Sequence, residues 1–190
     1  MWQTDVPVEV MSMAMALLLH LDRLAEDLQI WNTAEFDLVE LADRHARISM
    51  IMPQKKNPYS LAFVRGMAGQ MLGRLISIAA VGKSPSAQMD NRVFVVGELP
   101  RALDATIDTV RLMAGVIGGL RFNVPLMAER AQRGFTSATD LCEILMESRG
   151  IEYRPAHRIV GLAVRLALEE GLDTGVVPAR LVDRAAKEVL

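Results

Sequence analysis

VEVMSMAMALLLHLDRLAEDL, running from Val8 to Leu28, decides the fold. Its apolar residues Val10, Met11, Met13, Met15, Leu17, Leu18, Leu19, Leu21, Leu24 and Leu28 fall on nearly every side of a helical turn. A helix apolar on all sides is buried on all sides, so it needs several helices around it. Its greasiest part, Val10 to Leu19, is broken by Ser12 and closed by His20. That is short of the roughly 20 apolar residues of a membrane span. A basic stretch ahead and an A-x-A-like site behind are both missing, which argues against a signal peptide. Asp22, Arg23, Glu26 and Asp27 make the far end polar, so that end reaches solvent.

The rest of the composition agrees. Of 190 residues, 51% are hydrophobic and 23% charged, enough for a sizeable core and inconsistent with a disordered tail. The net charge of -2 gives no electrostatic case for nucleic acid. A mean hydropathy of +0.22 without a span points to burial by partner chains. Aromatics are only 5% while there are 12 Met, which suits close helix packing. The lone Cys142 excludes an intramolecular disulfide and a cysteine zinc site, and fits a cytoplasmic setting. His20, His45 and His157 form no i, i+4 pair, so no metal site is expected. His20 reads as a packed or interface residue, His45 as a solvated loop residue and His157 as a structural hydrogen-bonding one.

Punctuation places the remaining elements. Asn32 with Glu35 reads as a capping box for a short helix over Thr33 to Val39. Residues 42–57 lack a period and read as a loop. Pro58 opens a second long helix to about Val81, with Gly66, Gly69 and Gly73 on one face where another helix can approach. After the break at 82–88, a third runs from about Arg92 or Leu99 to Gly118, with Pro100 in its first turn. Shorter helices follow. Asn123 caps one of about eight residues, and Ser137, with Asp140 in the first turn, caps one reaching Ser148 before Gly150. Pro155 opens another to Glu170 before Gly171, and Pro178 opens the last. Cys142 falls on an apolar helix face. The expectation is an all-α chain: residues 1–119 a long-helix bundle region carrying the loop 42–57, and residues 120–190 a small helical domain. It reads as the latter part of a larger protein or a subunit that needs others.

The loop carries the chemistry. Ile48-Ser-Met-Ile-Met-Pro-Gln-Lys-Lys-Asn-Pro58 gathers a hydroxyl, two amides and two ammonium groups ahead of a helix N-terminus, where unpaired N–H groups favour an anion. Lys55 and Asn57 suit a carboxylate or phosphate, and Ser49 suits a nucleophile or proton acceptor. A basic surface turn ahead of a Pro-initiated helix has the same composition.

The string resembles the G-S-S-x-M-P-x-K-x-N loop of the fumarase/aspartase superfamily, and most closely the argininosuccinate lyase form, which Ile51 to Pro58 matches without a change. Leu21 to Leu28, Trp31 to Glu40 (WNTAEFDLVE), Gly134 to Leu141 (GFTSATDL) and Arg154 to Gly161 (RPAHRIVG) resemble further segments in collinear order. The resemblance implies an all-α homotetramer with a shared helical bundle, and a carbon–nitrogen lyase that releases fumarate from an N-succinyl substrate, argininosuccinate first among them. It puts Ser49 at the catalytic base. It implies that Lys55 stabilises the alkoxide and, with Asn57, holds the substrate carboxylate. Met52 and Pro53 would shape the loop and Gln54 would lie beside the substrate. No cofactor, nucleic acid or membrane is implied. The family's catalytic His belongs to a preceding portion.

Four features depart from that pattern. Ile48 stands where the family has Gly, and Met50 where it has a second Ser. Ile48 implies another resting shape for the loop, because a β-branched residue resists the φ > 0 that Gly allows. Ala62 stands where a Glu orients the catalytic His. Residues 86–98 lack a polar substrate-contacting pattern, which favours a related lyase with another amine. The fourth departure is the absence of the portion holding that His. A non-catalytic helical oligomer, or a truncated fragment of an enzyme, is the reading from outside enzymology.

Overall fold

The computed structural model describes residues 4–52, 54–83, 88–172 and 175–190. Pro53 and residues 84–87, which include part of the expected break and of the 86–98 segment, lie outside the described residues. Seven α-helices and four two-residue strands appear among them. The chain divides into two compact units, residues 1–123 and 124–190.

The first unit is built on three long helices. α1 spans Asp5–Trp31, α2 Tyr59–Val81 and α3 Gln88–Gly118. Met11, Met15 and Leu18 on α1, Ala68, Met71 and Ile78 on α2, and Val95 and Ala102 on α3 form one core. Their spacing follows one stripe of each helix. Thr106 and Thr109 are buried on α3, and their hydroxyls donate to the carbonyls of Ala102 and Ala105 at 2.8 and 2.7 Å. Back-bonding of this kind leaves no buried donor unpaired.

The all-round apolar helix is only half satisfied within the chain. Met13 is 66% exposed and Leu17 44%, with Leu24 on the same stripe also open. At Gly66, Gly69 and Gly73 an added Cβ would likewise meet nothing within 4 Å among the described residues.

Three expectations are corrected. Residues 33–39 form no helix: α1 continues to Trp31, Asp37 takes a left-handed φ of 48°, and Val39–Glu40 form strand β1. The Asn32 side chain accepts a bond from the Leu41 amide instead of capping a helix. Pro100 lies well inside α3 rather than in its first turn. The helix tolerates the missing amide because Val95 and Ala102 bury on either side of it. The Ser137 hydroxyl makes no capping bond and donates to the Gly175 carbonyl.

The second unit contains α4 (Val124–Ala131), α5 (Ala138–Arg149), α6 (Tyr153–Glu169) and α7 (Ala179–Val189). Phe135, Ile159, Ala163, Ala167, Leu181 and Ala185 make its core. Gly150 and Gly171 end α5 and α6 with φ of 63° and 72°, a geometry that a Cβ would strain. Cys142 is buried, and that burial, with Glu143 adding, pushes its thiol above the usual range. His157 is exposed and sits at a tilt beside Tyr153, with ring centres 5.9 Å apart.

Candidate active site

The segment 42–57 is more ordered than its lack of period suggests. A single 3-10 turn, Asp43–His45, leads into β2, Arg47–Ile48, which pairs antiparallel with β3, Lys56–Asn57. Arg47 is opposite Asn57 and Ile48 opposite Lys56. The ladder continues one step, since the Ser49 amide donates to the Lys55 carbonyl at 3.0 Å. Side chains alternate along strands and share a face across them. Arg47, Ser49, Lys55 and Asn57 therefore stand on one face of the hairpin, and Ile48 and Lys56 on the other.

Ile48 sits in extended backbone, which suits a β-branched side chain and asks for no positive φ. Beyond it the chain turns back on the Ser49 side chain. The amides of Ile51 and Met52 donate to Ser49 Oγ at 3.3 and 3.1 Å. Two N–H groups aimed at one oxygen favour the form that carries negative charge. A short loop thereby supplies what a serine needs to hold a proton acceptor's charge.

The two lysines have different surroundings. Lys56 Nζ lies 2.6 Å from Asp43 Oδ1 and 3.4 Å from Glu40 Oε1. The Lys56 ammonium holds the Asp43 carboxyl below its ordinary range, first by its hydrogen bond and then by its charge, and Asp43 raises Lys56 in return. Lys55 is exposed and forms no ion pair among the described residues. Gln54 keeps company with Lys56. Both line a polar cleft of about 260 Å³ with Glu40, Asp37 and Pro58, on the side away from Ser49. The structure thus brings Ser49, Lys55 and Asn57 together and sets Gln54 apart from them.

The hairpin rests on a fixed support. β1 pairs with β4, Arg121–Phe122, just past α3. His45 is half-buried against Gly115 and accepts a bond from Arg44 at 3.0 Å, so it is a packed residue and not a solvated one. At Gly119 a Cβ would come within 3.1 Å of the Ala42 Cβ, so only glycine fits there without movement. Ala62 is exposed on α2, in a cleft that it shares with Arg65 and Asp22.

Two residues escaped the sequence reading. Arg47 shares the Ser49 face, and its guanidinium lies over the Tyr59 ring at 5.5 Å. Its place on that face follows from the strand register and not from a sequence pattern. Arg65 joins α2 to α1 through Asp22, Glu26 and Gln29 at 3.2, 2.9 and 2.8 Å. Those three lie at i, i+4 and i+7 on one helix face, a pattern visible in the sequence.

Comparisons with known proteins bear on this site. Residues 1–73 match a family model described as lyase, and residues 135–189 one described as argininosuccinate lyase C-terminal. The chain is 37% identical to the argininosuccinate lyase of Methanothermobacter thermautotrophicus over 91% of its own length and 37% of that protein's. With that of Thermus thermophilus the identity is 40%, over 88% of this chain and 36% of the relative. The chain thus spans little more than a third of the relatives it matches. Among solved structures, an EDDS lyase variant with bound fumarate superposes with a TM-score of 0.80 at 34% identity, over 99% of this chain and 37% of that one. A class II fumarase from Schistosoma mansoni shares the fold, with a TM-score of 0.68 at 17% identity, over 97% of this chain and 39% of that one.

Proposed function

As the chain belongs to the fumarase/aspartase superfamily and is argininosuccinate lyase-like, we propose that it carries the proton-abstracting loop of a carbon–nitrogen lyase. The substrate is an N-succinyl compound, the products are fumarate and an amine-bearing fragment, and argininosuccinate is the first candidate. The observation that carries this reading is the pair of amides on Ser49 Oγ, directly across the hairpin from an uncommitted lysine.

The chemistry follows from the acid being weak. A C–H next to a carboxylate gives up its proton only if the resulting doubly charged carboxylate is stabilised. Ser49 takes the proton as its alkoxide, formed by prior loss of its own proton to solvent and stabilised by the Ile51 and Met52 amides. Lys55 and Asn57 bind the carboxylate whose charge grows. Electrons then expel the nitrogen on the neighbouring carbon, and the double bond of fumarate forms. The nitrogen takes up a proton from a group that this loop does not supply. Gln54 shapes the far face.

Assembly and setting are part of the proposal. The open stripe of Met13, Leu17 and Leu24 supports a homotetramer in which copies cover one another's α1. The unpaired Cys142 supports a cytoplasmic setting. Residues 93, 94 and 96, apolar and exposed on α3, favour a related N-succinyl amine as the second reading.

The test is fumarate release by the full-length protein, followed by ultraviolet absorbance, from argininosuccinate and from a panel of N-succinyl amines. Turnover that is abolished by Ser49→Ala supports the reading. Turnover left undiminished by Ser49→Ala rejects it.

A further inference from the structure

Arg47 is the one strong cation of the hairpin face for which the lyase chemistry above has no use. Its register places it opposite Asn57 and two residues from Ser49, on the side occupied by Lys55. Strand geometry puts residues two apart at about 6.5–7 Å, roughly the length of a short dicarboxylate. The guanidinium lies 5.5 Å from the centre of the Tyr59 ring, on a residue that opens α2. A flat aromatic support limits the directions in which an arginine can reach. Arg47 is exposed, and no carboxylate pairs with it among the described residues. Lys56, on the opposite face, is occupied by two.

From this juxtaposition we infer that Arg47 is a specificity-determining residue that binds a further carboxylate of the substrate, beyond the one held by Lys55 and Asn57. The inference rests on the lyase reading of the loop. It narrows the substrate class to N-succinyl compounds whose amine-side arm carries its own carboxylate. A guanidinium suits this task because it presents two parallel N–H donors to a planar carboxylate. Lying over the Tyr59 ring, the Arg47 guanidinium is paired with no carboxylate among the described residues.

Two measurements on the full-length protein decide it. In the first, an N-succinyl amino acid is compared with its decarboxylated counterpart. Arg47→Met should raise KM for the acid by about tenfold to a hundredfold with kcat nearly kept, because a charge-assisted bond is lost in ground and transition states alike. The decarboxylated substrate should be little affected. Arg47→Lys should recover part of the loss, and Tyr59→Ala should reproduce a smaller version of it. Equal losses on both substrates overturn the inference. The second measurement needs no turnover. Calorimetric binding of propane-1,2,3-tricarboxylate and of succinate is compared in the native protein and in Arg47→Met. The tricarboxylate should lose its advantage in the variant, and an advantage that persists overturns the inference. A native protein that fails to turn over either substrate counts against the lyase reading, whereas binding still tests Arg47.

Discussion

Ser49 and Lys55 face each other across the hairpin, joined by a 3.0 Å bond from the amide of one to the carbonyl of the other. The serine side-chain oxygen accepts bonds from two amides of the turn between them. The base and the cation are thus set by one local piece of backbone, and their separation does not depend on packing elsewhere.

Ser49→Ala removes the proton acceptor and leaves the carboxylate-binding groups in place. In the full-length enzyme kcat should fall by about 10²–10⁴-fold with KM changed little. A loss confined to KM would assign Ser49 to binding instead.

Lys55→Ala should lower kcat and raise KM together, since its charge serves both the bound carboxylate and the dianion that develops from it. Lys56→Ala should have a much smaller effect, because Asp43 and Glu40 already engage that ammonium. Steady-state kinetics of the two variants at one ionic strength make the comparison. Equal losses would mean that the hairpin does not distinguish its faces.

The Asp43–Lys56 pair has a defined pH signature. Asp43 titrates below its ordinary 3.8 because Lys56 bonds and attracts it. A carboxyl depressed in the folded state adds stability above its unfolded pKa and loses it as pH falls through the folded one. Lys56 is raised above 10.5, so its contribution is complete below that value and disappears as pH climbs through the folded pKa. The pair therefore steadies the hairpin across the whole neutral range. Carboxyl NMR should show Asp43 returning toward 3.8 in Lys56→Met. An Asp43 titration unmoved by that substitution would show that the pair does not form.

Met13, Leu17 and Leu24 make one open apolar stripe along α1. Burying each large side chain is worth about 1.5–3 kcal/mol, so association should be strong. Sedimentation should find oligomers at micromolar concentration, and Leu17→Glu with Leu24→Glu should dissociate them. A native chain that sediments as a monomer would remove this expectation.

Much of this was legible because helices announce themselves by period and punctuation. Pro58, Gly150 and Gly171 mark real boundaries, since each has a backbone preference that only those positions satisfy. Asn32 misled because its carboxamide has a better partner nine residues on, at Leu41, than in the following turn. Pro100 misled because burial of its neighbours outweighs a lost amide bond. The hairpin was hidden by its size: two-residue strands leave no alternation to detect. Ser49, Lys55 and Asn57 were found as types of residue, yet their common face, and the separation of Gln54 from it, needed the register.

The two units have separate cores, one built around Met11, Leu18 and Met71 and the other around Ile159 and Leu181. Each has its own apolar interior to lose on heating. A calorimeter should therefore record two transitions, and Ile159→Ala should move only one of them. A single melting temperature is then not a property of this chain, and a fluorescence melt reports whichever half holds the probe. Trp31, in α1, watches the half that carries the hairpin.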